Sequence, residues 1–220
     1  MYNKAREKMM IELSRFIGDR EDLTRKDLED LANQIKNGKI FPKSQLTPQQ
    51  LAEDLVFEAH ELVSKNEMDL AGKKIEKALE LNPNSIEAYE ILAKYSADAE
   101  RHVECLSRAI YIGMELFPEA YLMKNGGNFW GVIETRPFMR CFKMLADHYF
   151  FSGDTVKAAD YFENMILLNK KDDQGVRFQL LPALLELGDF KKFQQTVAKR
   201  AWQKKEGALA WLRSYQVQFY

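Results

Sequence analysis

Residues 52–85 read AEDLVFEAHELVSKNEMDLAGKKIEKALELNPNS, and this stretch decides the fold. Within its 34 residues, Ala59, Ala71 and Ala78 stand where two antiparallel helices must cross closely, and Pro83 stands near the end, where a helix must stop. A helix pair of this length cannot bury its own apolar face, so it must stack against further copies. Downstream, Met139 to Asp172 fits the same template without a gap, placing Phe142, Leu145, Ala146, Tyr149, Gly153, Ala158, Phe162 and Leu168 at matching positions. The expected fold is all-α: a right-handed superhelical stack of antiparallel helix pairs.

Two divergent units accompany these. In the second, Tyr89, Leu92 and Ala93 fit the first helix, while Ala109 arrives about three residues early, which predicts a trimmed turn around Asp98 to Arg101. The fourth begins near Gln174, with Leu180, Leu181 and Leu184 inside, Pro182 within its first helix, Gly188 at the turn and Phe190 after it. Arg177 occupies a position that carries Leu55, Tyr89 and Phe142 elsewhere, and Glu58 stands where later copies have Leu92 and Leu145. A charge at such a position must find a partner or reach water, because its desolvation otherwise costs several kcal/mol. Glu206 to Tyr220, with Ala208, Leu209, Trp211, Leu212 and Tyr215, reads as a closing helix.

Residues 1–45 differ from the rest and read as an N-terminal helical cap, leaving 46–220 as the repeat domain. Met9, Met10, Leu13, Phe16 and Ile17 recur at helical spacing on a first helix ending near Gly18. Thr24 is placed to cap a second helix over 25–36, and Gly38 to stop it. Thr47 and Pro48 then open the repeats as N-cap and first helical residue. The apolar stripe suits a cap over the open end of the array, or a partner-binding arm or dimer contact.

Composition narrows the function classes. Apolar residues make up 46% and charged residues 30% of the 220, the usage of ordinary soluble domains rather than of disordered chains. With 32 basic against 33 acidic residues, no overall positive charge favours nucleic acid. The start carries no signal-peptide pattern, and no run approaches the roughly 18 apolar residues that span a bilayer. Cys105 and Cys141 read as two free thiols. A cytoplasmic protein that contacts neither membrane nor nucleic acid is expected; oligomeric state is left open.

The main irregularity is an insert over about 117–138, some 22 residues beyond a continuous array. Long inserts in compact domains are often functional. It holds the turn-rich Lys124, Asn125, Gly126, Gly127 and Asn128, then Phe129 and Trp130, and Thr135 and Pro137 suit the start of the next helix. The series Asn128–Gly131, Glu134–Arg140, then Asn169 and Asp172–Arg177 resembles a group of bacterial tetratricopeptide-like proteins carrying HFWG…ETRPYMR…NPNDNQGxR. This chain departs from that series at Asn128, Lys170, Lys171 and Asp173. The resemblance implies the tetratricopeptide fold and a binding role; it implies no reaction.

Among these residues Arg136 and Arg140 are four apart and share a helical face, and Arg suits bidentate capture of carboxylate or phosphate. Glu134 could pair with Arg177 or Arg140 and latch the insert, or the arginines could form an anion pocket; catalysis is the remaining alternative. Arg177 is expected to pair with Glu134 or Asp147. Arg140, Lys143 and Asp147 share one face, which with Trp130, Phe150 and Phe178 forms the expected working surface. His60, His102 and His148 stand far apart in sequence, no phosphate loop or nucleophile elbow is present, and neither metal nor cofactor is expected. The functional expectation is a protein- or peptide-binding scaffold without catalytic activity. The alternative is a small-anion or phospho-ligand sensor built on the arginines beside the insert.

Overall fold

Eleven α-helices and no strand occur among the residues that the computed structural model describes, 4–18, 20, 22–39, 42 and 45–197. The all-α expectation holds. The expected closing helix over Glu206–Tyr220 lies outside the described residues. The chain divides into two compact units, Met1–Pro83 and Asn84–Tyr220.

The first unit contains α1 (Lys4–Ile17), α2 (Arg25–Lys36), α3 (Pro48–Ser64) and α4 (Met68–Leu81). Thr24 and Thr47 both close capping boxes, with Asp27 and Gln50 returning the bond to the cap amide. Three residues join α3 to α4, Asn66 among them with φ +62°, so the two helices fold back as an antiparallel hairpin. Ala52, Val56 and Ala59 of α3 and Ala71, Ile75 and Ala78 of α4 are buried. Glu58 neither sinks nor floats free: it bridges the hairpin to Lys74 at 2.6 Å while keeping part of its surface in water.

Helix α1 inverts its expectation. Its apolar stripe, Met9, Met10, Leu13, Phe16 and Ile17, is only half-buried, and the residues it buries are Glu7, Glu12 and Arg15. The Arg15 guanidinium bonds Glu12 at 2.7 Å, Asp54 at 2.8 Å, Glu53 at 2.9 Å and the Gln50 carbonyl at 3.1 Å. Burial works against this charge, but the hydrogen bonds and charges of Asp54 and Glu53 more than offset it and its pKa is raised. The physical reason is supply: α3 presents two carboxylates toward α1, and a cation between them satisfies more than an apolar side chain would.

The second unit runs α5 (Ile86–Lys94), α6 (Ala99–Leu116), α7 (Glu119–Asn125), a 3₁₀ turn (Phe129–Gly131), α8 (Arg136–Ser152), α9 (Thr155–Leu168), α10 (Arg177–Glu186) and α11 (Phe190–Val197). Short turns fold α5 on α6, α8 on α9 and α10 on α11, and the pairs pack onward through α6 with α8 and α9 with α10. The second pair is short for a reason other than the one expected. Asp98 caps α6 by accepting from the Glu100 amide, so Ala99 to Arg101 are already helix, and the missing residues come from the nine-residue α5.

An aromatic core fills this unit. Phe129, Phe138, Phe142 and Phe162 are fully buried, with Phe117 edge-on to Phe129 and Phe138 at 5.8 and 5.7 Å between ring centres. Gly113 of α6 lets Phe138 in: a Cβ there would lie 2.1 Å from its ring. Ala109, Ala146 and Ala158 are buried, as helix crossings require.

Candidate functional site

The insert is ordered, and two devices hold it. Phe129 is the plug, with no exposed surface, while Trp130 is only half-buried; burying such a phenyl ring contributes roughly 1.5–3 kcal/mol. Gly127 bonds across to the α9–α10 loop, its amide donating to Leu168 and its carbonyl accepting from Lys170, both at 3.0 Å. A side chain at Gly127 would crowd Lys170, and its φ of +89° suits glycine.

Thr135 does a different job from the expected cap. Fully buried, it makes no side-chain bond to the start of α8 and directs its hydroxyl back to the carbonyls of Phe129 and Val132, the latter at 3.0 Å. Arg136 completes the tie by donating from Nε to the Trp130 carbonyl at 2.9 Å with its guanidinium 5.9 Å from the indole centre. Gln174 reaches the Met139 carbonyl at 3.2 Å. The stretches 128–140 and 169–177, separated in sequence, therefore meet in one joint.

The expected latch is absent from that joint. Glu134 is exposed and pairs with neither Arg140 nor Arg177. Arg177 pairs with neither Glu134 nor Asp147: its Nη2 donates to the Lys170 carbonyl at 3.0 Å and its Nε lies 3.9 Å from Asp172. The reason is the helix start. Asp172, at φ +54°, accepts from the amides of Val176 and Arg177 at 2.8 and 3.3 Å, so α10 begins at Arg177 and the guanidinium sits at the helix entrance rather than inside the helix pair.

Arg140 is committed elsewhere. Its Nη2 bonds Glu87 and its Nε bonds Glu90, each at 2.7 Å, locking α8 to α5 with all three side chains nearly shut from water. Cys141 lies fully buried alongside; burial raises its thiol pKa, Glu90 adds to that, and Arg140 pulls the other way. Lys143 bonds Asp147 at 2.8 Å and Gln179 at 2.9 Å, and Gln179 donates back to Asp147 at 2.6 Å, joining α8 to α10. Phe150 is half-buried, 6.1 Å from the ring of Phe162. Phe178 alone of the expected surface stands in water, 83% exposed. The expected site residues thus separate: Trp130, Arg136 and Arg177 lie in the insert joint, Arg140 in its triad, Lys143 and Asp147 in their network and Phe150 against Phe162, while Glu134 and Phe178 stand exposed.

A further concavity lies elsewhere in this unit. A groove of about 1140 Å³ on α5 and α6 is lined by Tyr89 and Leu92 on one side and Arg101, Glu104, Arg108 and Tyr111 on the other, with Asp98 and Glu100 at one end. Arg108 lies 5.5 Å from the centre of the Tyr111 ring. Cys105 borders the groove but is buried, and its thiol pKa is raised, chiefly by desolvation. Sequence reading took Tyr89 as core and passed over the arginines because single charges on a helix read as solvated surface. Glu90 carried a better signal: it interrupts the apolar stripe of Ile86 and Ala93 and had to have a cation.

Among the described residues no group of three or more His, Cys, Asp or Glu is placed to hold a metal ion, and no helix is long and apolar enough to cross a membrane. No protein-family model matches the chain, and no curated protein or solved structure gives a significant match.

Proposed function

We propose that this chain is a tetratricopeptide-like scaffold, a superhelical stack of helix pairs that holds a protein or peptide partner and catalyses no reaction. The groove on α5 and α6 carries the reading. Its volume is that of a ligand cleft, and its lining pairs Tyr and Arg, the residue types that supply most binding energy at protein interfaces. Arg101 and Arg108 share the lining with Asp98, Glu100 and Glu104, a mixed rim that suits a peptide of both charges better than a polyanion. Against the anion-sensor reading stands Arg140, neutralised by two carboxylates, and Arg136 has its Nε turned to the Trp130 carbonyl.

The test is selection of a displayed random-peptide library on the folded protein, followed by fluorescence anisotropy with the selected peptide. Tyr111→Ala and Arg108→Ala are expected to weaken binding at least about tenfold with little change in melting temperature. Selected peptides indifferent to both changes, or none selected, would remove the groove from consideration.

A further inference from the structure

His102 and His148, distant in sequence, are brought together across α6 and α8 with their ring centres 5.5 Å apart. That spacing matters chemically. An imidazole nitrogen sits about 2.0–2.1 Å from a bound zinc ion, so two imidazoles on one ion stand roughly 5 Å apart, centre to centre.

The hydrogen bonding prepares one of them. Nδ1 of His102 lies 2.8 Å from the carbonyl oxygen of Ala93 on α5. A carbonyl only accepts, so Nδ1 carries the proton and Nε2 is left with its lone pair. This is how metal-bound histidines are commonly held, one nitrogen donating to a backbone carbonyl and the other on the ion. His148 makes no hydrogen bond with any described residue. Both residues are half-buried, so water and ions reach them.

We propose that His102 and His148 form a two-histidine site for a divalent transition-metal ion, bridging α6 to α8. Water completes the coordination, since no third His, Cys, Asp or Glu joins them among the described residues. Imidazole donors favour Cu²⁺ over Ni²⁺ or Zn²⁺ and discriminate against Mg²⁺ and Ca²⁺, which prefer oxygen. An ion held there fastens the second helix pair to the third and stabilises the unit by mass action.

The experiment titrates the full chain with Cu²⁺, Ni²⁺ and Mg²⁺, reading stoichiometry by calorimetry, melting temperature by circular dichroism, and the nitrogen ligands of bound Cu²⁺ by pulsed electron paramagnetic resonance. One Cu²⁺ per chain, a metal-dependent rise in melting temperature and the signature of two imidazoles are expected, with no response to Mg²⁺. His148→Gln, whose ring has no hydrogen bond to lose, should fold as the parent does, weaken Cu²⁺ at least about tenfold and leave one imidazole signal. His102→Gln should do the same where its circular dichroism matches the parent, and His60→Gln should leave Cu²⁺ binding unchanged. Absence of saturable Cu²⁺ binding, or binding unaltered by His148→Gln, overturns the proposal.

Discussion

The two units bury an arginine each and use it differently. In the first, Arg15 carries α1 onto α3, drawing on Glu12, Glu53 and Asp54, and the apolar stripe of α1 stays half in water. In the second, Arg140 joins α8 to α5 through Glu87 and Glu90, beside an aromatic core that already fixes those helices. The exposure of one carboxylate separates the cases: among the partners of Arg15, Glu53 is 43% exposed in its side chain, with Asp54 at 18% and Glu12 at 10%, against 12% for Glu87 and 8% for Glu90. Water can therefore take over the share of Arg15 that falls on Glu53. Neither partner of Arg140 is as open to it. A buried cation holds a contact in place in either setting, but the cost of losing it is set by how well its partners can be rehydrated.

Arg140→Met should show the largest effect. It strands two buried carboxylates, and about 3–5 kcal/mol of protection should vanish from α5 and α8 in hydrogen-exchange mass spectrometry. Adding Glu87→Gln and Glu90→Gln should restore much of it, since the charges left behind are the greater part of the loss. Arg15→Met tests the other side of the comparison. A loss of about 1–3 kcal/mol is expected, confined to α1 and its contact with α3. Equal losses at the two arginines would break the argument from rehydration.

Phe129→Ala and Trp130→Ala sharpen the account of the insert. The fully buried phenyl ring should cost about 3–5 kcal/mol, and the half-buried indole clearly less. If the order were reversed, Trp130 rather than Phe129 would be the plug. Gly113→Ala should cost about 1–3 kcal/mol by forcing Phe138 aside, measured as a drop in the urea midpoint with an unchanged slope.

The smallest effect belongs to the cap of α2. The hydroxyl and amide of Thr24 hold the Asp27 carboxyl below its ordinary pKa. This contribution is full above the ordinary aspartate range and is lost as pH falls through the lowered value. An NMR titration should place the Asp27 midpoint below that of a free aspartate, and Thr24→Ala should return it. An unshifted midpoint in the parent would remove the capping box from α2.

Local signals were legible wherever the cause was local. N-caps at Thr24 and Thr47, the hairpin of α3 and α4, the buried Ala59, Ala71, Ala78, Ala146 and Ala158, and the turn at Gly188 all follow from spacing and backbone preference within a few residues. Thr135 marks the limit. A threonine two residues before a proline reads as a cap, yet its hydroxyl bonds backward to the insert, because the aromatic plug at Phe129 brings those carbonyls within reach.

By itself the sequence determined the helical class, the starts of α2, α3 and α8, and the presence of charges at positions that demand partners. Which partner each charge takes was decided only in three dimensions. Arg140 found Glu87 and Glu90 across α5, Arg177 was captured by the loop that caps its own helix, and His102 met His148 between α6 and α8. Periodicity states which face of a helix a residue occupies; it does not state which neighbouring helix arrives opposite, or at what height. Ion pairs and shared ligand sites depend on both, and packing of the aromatic core and the helix crossings sets them.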